Sequence, residues 1–301
     1  MTETILITGG AGTLGRATTE TLLARGDRVR ILDLVGGAPR DGVEWRVGDL
    51  RRPDDVRRAV EGVDAIVHAA AWHGMHLRDH PASDFWELNV DGTFHVFEAA
   101  AEAGVARAVV ASTMGVYGAS RAPGPDGGAV RLHEGLPLLP VNVYELSKVL
   151  TETIAASYDL RAERGVRSCA LRFGMFVPEP FLHSGIRFLY GGIDERDVAA
   201  AVVAGLDRTS SAEPGGFAAW NVFSSLPYDE ADAADLPRDP IAVVRRHWPD
   251  APSLLEAAGV APWGPIREWY DVTRARDELG WQPRFGFDVF IAALREGRTE
   301  L

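Results

Sequence analysis

Short runs rich in apolar residues recur at 5–8, 29–33, 65–69, 108–112 and 167–173, with an alternating one at 43–47, each the length of a strand. Between them lie longer stretches, 16–25, 53–61, 83–103 and 143–164, in which apolar residues return every three or four positions, as on a helix with one buried stripe. Strand and helix therefore alternate, which predicts an α/β fold: a doubly wound parallel sheet covered on both faces, with right-handed crossovers that bring the strand C-terminal ends to one edge. Past residue 204 the alternation weakens. A strand over 215–223 is followed by an acidic, proline-marked stretch at 229–240 and by helical patterns at 241–247, 253–258, 272–279 and 287–295. The expected division is a dinucleotide-binding core with its chemistry over 1–175, and a mixed region over 176–301 that completes the core and forms a smaller cap. Trp248, Trp263 and Trp269 in that cap are read as packing residues, with stacking against a ligand as the alternative.

The first strand runs directly into Gly9, Gly10, Ala11, Gly12, Thr13, Leu14 and Gly15 and then into a helix. Glycines at 9, 12 and 15 permit a tight turn and a close approach of backbone amides to a pyrophosphate, which the helix N-terminus attracts. The second strand ends in Asp33, where a carboxylate can accept from ribose hydroxyls, so NAD is expected rather than NADP. The alternative for Asp33 is a strand-end turn residue. A charge of -12 and a pI near 5.1 set nucleic acid and anionic membrane aside as partners, because the overall field repels phosphate. The one cysteine, Cys169, sits in an apolar strand and reads as a buried thiol. With the first strand beginning almost at Met1 and no apolar run of membrane-spanning length, neither a leader nor a membrane anchor is expected, and a reducing cytoplasm is the expected home.

Tyr144 and Lys148 are four residues apart on a predicted helix and so share a face, where the lysine charge is expected to favour the phenolate and make Tyr144 a general base. Together with Asp49-Leu50 after the third strand, His68-Ala69-Ala70-Ala71 after the fourth, Asn89, Ser112-Thr113 after the fifth, Leu171-Arg172-Phe173-Gly174 and the terminal Leu279-Gly280-Trp281-Gln282-Pro283, these residues make the chain resemble an extended short-chain dehydrogenase/reductase of the NAD-dependent epimerase/dehydratase superfamily. The resemblance implies a Rossmann fold and a cofactor site at Gly9, Gly12, Thr13, Leu14, Gly15, Asp33, Asp49, Leu50, Ala69, Ala70, Ala71, Asn89, Tyr144, Lys148 and Phe173, with Asp49 and Leu50 around adenine. It also implies that Thr113 binds the reacting oxygen, Tyr144 exchanges its proton, and Lys148 holds the nicotinamide ribose. A homodimer through the helices over 83–103 and 143–164 follows from the same likeness.

Met114-Gly115 stand where similar dehydratases carry an acidic pair, which disfavours dehydration. The stretch after Met175 is shorter than the nucleotide-gripping insertion of similar epimerases and resembles that of uronate dehydrogenases; there Arg187 takes the place of the arginine that binds a sugar carboxylate, and Met175 stands at a substrate contact. The alternative for Arg187 is a solvated helix arginine. Trp72, His73 and His76, in the loop after the fourth strand, are expected to touch a polyhydroxylated substrate or to be structural. A metal is not expected, since hydride transfer needs none. The glycine- and proline-rich loop over 121–128 is read as a mobile excursion near the same edge. Arg245, Arg246 and Arg267 are candidates for a phosphate if the substrate is nucleotide-linked. Three readings stay open: net oxidation or reduction of a sugar-like small molecule, epimerisation of a nucleotide sugar by transient oxidation, and a non-catalytic dinucleotide-binding regulator.

Overall fold

The computed structural model describes residues 2–124, 126–260 and 264–301. In chain order its strands are β1 (Thr4–Thr8), β2 (Arg28–Asp33), β3 (Val43–Val47), β4 (Ala65–His68), β5 (Arg107–Thr113), β6 (Val130–Leu132), β7 (Arg167–Phe173), β8 (Ala218–Val222) and β9 (Glu268–Tyr270). Its helices are α1 (Thr13–Arg25), α2 (Pro53–Val60), α3 (Ala82–Phe85), α4 (Gly92–Ala103), α5 (Val143–Asp159), α6 (Phe181–Arg187), α7 (Glu195–Ser211), α8 (Pro240–His247), α9 (Ala251–Ala257), α10 (Thr273–Leu279) and α11 (Phe287–Arg295). Seven strands form one sheet in the order β3-β2-β1-β4-β5-β7-β8. Every pairing is parallel, so this is the doubly wound Rossmann-like α/β fold that the alternation predicts. Register brings Thr8 level with Leu32 and His68, and Thr113 level with Phe173. The strand ends that carry chemistry therefore lie along one edge, where the switch in strand order opens a crevice.

Alternation within β1 shows why both faces are covered. Ile5 and Ile7 enter a core with Val29, Val67, Val109, Leu171 and Trp220, while Leu6 points the other way, to Ile66, Val96, Phe97 and Tyr158. A third cluster, with Phe188, Val243, Trp248, Trp269, Phe287 and Phe290, builds the cap. Trp248 and Trp269 are buried in it, so packing is their role; Trp263 lies outside the described residues, as does Pro125 of the 121–128 loop. Among the described residues no helix is long and apolar enough to cross a membrane.

Several expectations are corrected. The single helix over 83–103 is a turn of α3, a π-helical stretch over Trp86–Asp91 and then α4; the widened turn carries buried Asn89. The helix expected to reach 164 stops at Asp159, because its carboxylate accepts from the Ser168 and Phe217 amides and turns the chain back toward the sheet. Beyond 204 the helix does not fade: α7 runs to Ser211 with Val198, Ala201, Val202 and Leu206 buried. The short parallel pair β6–β9, absent from the sequence reading, joins the cap to the core.

The glycine turn is held by close approach as well as by conformation. Gly9 has φ 71°, and a Cβ there would stand 2.7 Å from Ala70 Cα. A Cβ on Gly15 would fall 2.4 Å from Gly10 Cα, and one on Gly10 the same distance from the Ile31 side chain. Gly15→Ala is therefore expected to destabilise the fold by about 1–3 kcal/mol in thermal or urea unfolding. Gly124→Ala, where nothing lies within 4 Å, should be neutral or slightly stabilising.

Candidate active site

Three strand ends and one helix N-terminus build the first half of the site. Gly12 caps α1 with extended backbone (φ -75°, ψ 174°), and no side chain accepts from the first amides of the helix. Those donors stay free for an anion. Asp33 stands beside them: one carboxylate oxygen accepts the Ala11 amide at 3.0 Å, the other the Val35 amide at 3.3 Å. Both readings of Asp33 thus coincide, since a carboxylate that fixes the loop keeps lone pairs for hydroxyl donors. Behind the turn, Thr8 Oγ1 accepts from the Ala69 and Ala70 amides at 3.2 Å each, locking the β4 end against Gly9. His68 lies between Thr8 and Thr93 at 2.8 and 2.9 Å, and burial, helped by the Lys148 charge, drives its pKa down to about 3. It is a neutral strut.

Other members of the expected cofactor set also have partners within the protein. Leu50 is buried under α4, and the Asp49 carboxylate is held by Arg51 at 2.7 Å, which keeps its pKa below the usual range. Phe173 is buried in the core and packs against Phe176, which lines the cavity beside Met175. Asn89 accepts from the Trp72 amide at 2.7 Å and donates to the Trp72 carbonyl and to Ser147, tying the β4 loop to α5. The glycine turn, the free helix amides and Asp33 still form a cradle that fits a dinucleotide.

The second half of the site is one stripe of α5. Tyr144, Lys148 and Glu152 follow at intervals of four and are all buried. Burial pushes Tyr144 up to about 12, and a hydrogen bond from Thr113 pulls the other way. The expected lowering by Lys148 is not found: the ammonium donates instead to the Ala111 carbonyl at 2.8 Å. Lys148 is itself brought down to about 8 by burial, against the opposing pull of Glu152. It is the only lysine in the chain. Glu152 is gripped by Arg172 through two bonds of 2.9 and 2.7 Å and accepts from Ser112 Oγ. Arg172 donates also to Tyr117, whose hydroxyl donates to Asn221 at 2.7 Å.

Neither Glu152 nor Arg172 was assigned a role from sequence, although Glu152 stands four residues past Lys148, the spacing that joins Lys148 to Tyr144. Removing one member of such a pair strands a buried charge. Glu152→Ala is expected to cost about 3–5 kcal/mol in urea unfolding, and the double change Glu152→Leu, Arg172→Met to recover most of it.

Around this stripe lie the residues expected to meet a substrate. The His73 ring sits 5.1 Å from the Tyr144 ring, and Trp72 stacks on His80 at 3.9 Å and meets His76 edge-on at 5.1 Å. Partial burial, then the Lys148 charge and His76, lower the pKa of His73. Nδ1 of His73 accepts from the Met75 amide and that of His76 from the His73 amide, so the loop is a folded 3-10 turn with its own caps. Among the described residues no group of three or more His, Cys, Asp or Glu side chains is placed to hold a metal ion. Cys169 is buried and its thiol pushed up to about 12. Met175 is exposed and Arg187 lines the same cavity, but the guanidinium expected to await a carboxylate already binds Glu179 at 2.7 Å. Arg246 is paired with Asp232 and Asp235.

Comparison with known proteins agrees with this geometry. Residues 5–179 match the model of the NAD dependent epimerase/dehydratase family. A uronate dehydrogenase from Pseudomonas syringae pv. tomato is 35% identical over 178 residues, 58% of this chain and 60% of that one. A UDP-glucose 4-epimerase from Rhizobium leguminosarum bv. trifolii is also 35% identical, over 57% of this chain and 51% of its own length. The chain thus spans only part of the length of these relatives. A short-chain dehydrogenase/reductase superfamily protein from Agrobacterium tumefaciens, solved with bound NAD, shares the fold with a TM-score of 0.71 at 23% identity, covering 98% of this chain and 97% of that one. With the glycine turn, Asp33 and the Tyr144–Lys148 stripe where that fold puts its chemistry, the chain belongs to the NAD dependent epimerase/dehydratase family.

Proposed function

We propose that this protein is an NAD-linked oxidoreductase that oxidises a hydroxyl-bearing carbon of a sugar-like small molecule, or reduces the corresponding carbonyl. The observation that carries this reading is the buried Tyr144–Lys148–Glu152 stripe, with the Thr113 hydroxyl beside Tyr144, at the strand edge that also bears the dinucleotide cradle. NAD is assigned to that cradle, with Gly9, Gly12, Thr13, Leu14, Gly15 and Asp33 around it. When bound it supplies the hydride acceptor and a positive charge. Thr113 would hold the substrate oxygen by its hydroxyl, and Tyr144 would accept the hydroxyl proton as the phenolate, a form that a positive charge beside it would favour. In the reverse direction Tyr144, whose pKa of about 12 keeps it protonated at neutral pH, donates that proton to the carbonyl oxygen. Lys148, with a pKa near 8, is mostly charged at pH 7; one of its donors is taken by the Ala111 carbonyl, the others are assigned to the nicotinamide ribose, and Asn89 holds its helix in place through Ser147. His73, beside Tyr144, and Trp72, in the same loop, are assigned to substrate contact and to the exclusion of water.

Supporting a sugar-like substrate are the names of the relatives, which specify a uronate and a UDP-sugar, and the polar edge-on aromatic loop over the site. Epimerisation of a nucleotide sugar is the second reading, favoured by the equal identity to the UDP-glucose 4-epimerase; it uses the same residues but releases no net NADH. A homodimer belongs to the same proposal, with Phe94 and Leu146 exposed on α4 and α5.

The test is NADH absorbance with protein and NAD against free uronic acids, neutral aldoses and UDP-sugars. Accumulation with a free sugar is expected, and UDP-sugar interconversion without NADH would replace this reading by the epimerase. Tyr144→Phe is expected to lower kcat by about 10²–10⁴-fold while NAD still binds in calorimetry.

A further inference from the structure

We infer that the substrate of this site is an uncharged polyhydroxylated sugar, and that Glu179 is the residue that excludes carboxylated ones. The inference rests on the redox reading above and narrows its substrate class.

Glu179 and Arg187 face the cavity that opens beside the end of β7. Its wall includes Met175, two residues past Phe173, which is level with Thr113 in the sheet. Inside it, the Arg187 Nε donates to one Glu179 oxygen at 2.7 Å and Nη2 donates to the other, so the guanidinium fork is filled by an internal carboxylate. Both ends of the pair are fixed by backbone. The Arg187 carbonyl accepts the Gly192 amide at 2.9 Å, and the arginine stem crosses Gly192 where a Cβ would stand 2.5 Å from Arg187 Cγ. Ser184 Oγ donates to the Glu179 carbonyl at 3.2 Å, which holds the other end.

A substrate carboxylate can reach Arg187 only by displacing Glu179, and a tethered competitor acts at high effective concentration. The expelled carboxylate then remains in the cavity with the incoming one. Asp194 and Glu195 line the same wall; with Asp194 paired to Arg196, the expelled Glu179 and Glu195 still outnumber the one remaining guanidinium. A further negative charge meets repulsion rather than a vacant cation. Neutral hydroxyls meet the opposite situation. Each carboxylate oxygen of Glu179 keeps acceptor capacity for a hydroxyl donor, and the guanidinium edge not used by Glu179 can donate to a ring or hydroxyl oxygen. The ion pair thus serves as a neutral two-sided hydrogen-bonding surface.

The test titrates the NAD-loaded protein by calorimetry with glucuronate and galacturonate against glucose and galactose, and follows NADH in parallel. The wild-type chain is expected to bind a neutral hexose at least about tenfold more tightly than its uronate. Glu179→Gln and Glu179→Ala, each checked for an unchanged melting transition, are expected to improve uronate binding by about tenfold or more, because they release Arg187. Wild-type preference for a uronate, or no gain for uronates in either variant, overturns the inference. So does failure of every sugar to bind. If the binding order holds but no sugar yields NADH, the inference stands and the redox reading falls.

Discussion

The bidentate bond between Arg172 and Glu152 is the contact on which the site depends, because it places a fixed negative charge directly beneath the only lysine of the chain. An ammonium taken out of water loses several kcal/mol of solvation unless a partner compensates it. Ala111 offers a carbonyl, Glu152 a charge, and Arg172 and Ser112 keep that charge from moving. Every other cation among the basic side chains is an arginine, which does not titrate in proteins. The one position that holds a lysine is the one where a compact charge, adjustable by its surroundings, has a chemical use.

The parallel sheet turns this local arrangement into a site. Ser112 and Thr113, at the end of β5, divide the length of α5 between them: Ser112 reaches Glu152, and Thr113 lies by Tyr144 in the first turn. Arg172 and Phe173 divide on β7, one toward the ion pair and one into the core. A one-residue slip between β5 and β7 would exchange these roles, and the level pairing of Thr113 with Phe173 is what prevents it. At the other end of the crevice, backbone contact between Gly9 and Ala70 holds the dinucleotide turn to the same set of strand ends.

The pattern of apolar runs is a backbone-scale signal, and it foretold the sheet strands, their parallel sense and the edge that carries Asp33, Thr113 and Tyr144. Spacing on one helix brought Tyr144 and Lys148 together. What it could not supply were partners distant in sequence. Lys148 was expected to turn to Tyr144, yet the carbonyl it meets belongs to a strand 37 residues earlier. Arg187 was read as an open guanidinium because Glu179, though eight residues away, lies in a stretch without regular period whose fold decides the contact. Asn89 is assigned to the cofactor by resemblance; its place inside a π-helical turn, where it binds Trp72 and Ser147, is invisible to a helical wheel of regular period. Leu50 and Phe173 are placed at the ligand by motif, and the burial of both side chains was not legible from that motif.

The most direct measurement is a pH titration of the Lys148 ε-carbon by carbon NMR, which gives one resonance because the chain has one lysine. A buried ammonium balanced by Glu152 predicts a midpoint near 8 in the protein without added cofactor. A midpoint near the ordinary lysine value of about 10.4 would mean that the ammonium is solvated and that the stripe beneath Tyr144 does not exist as described.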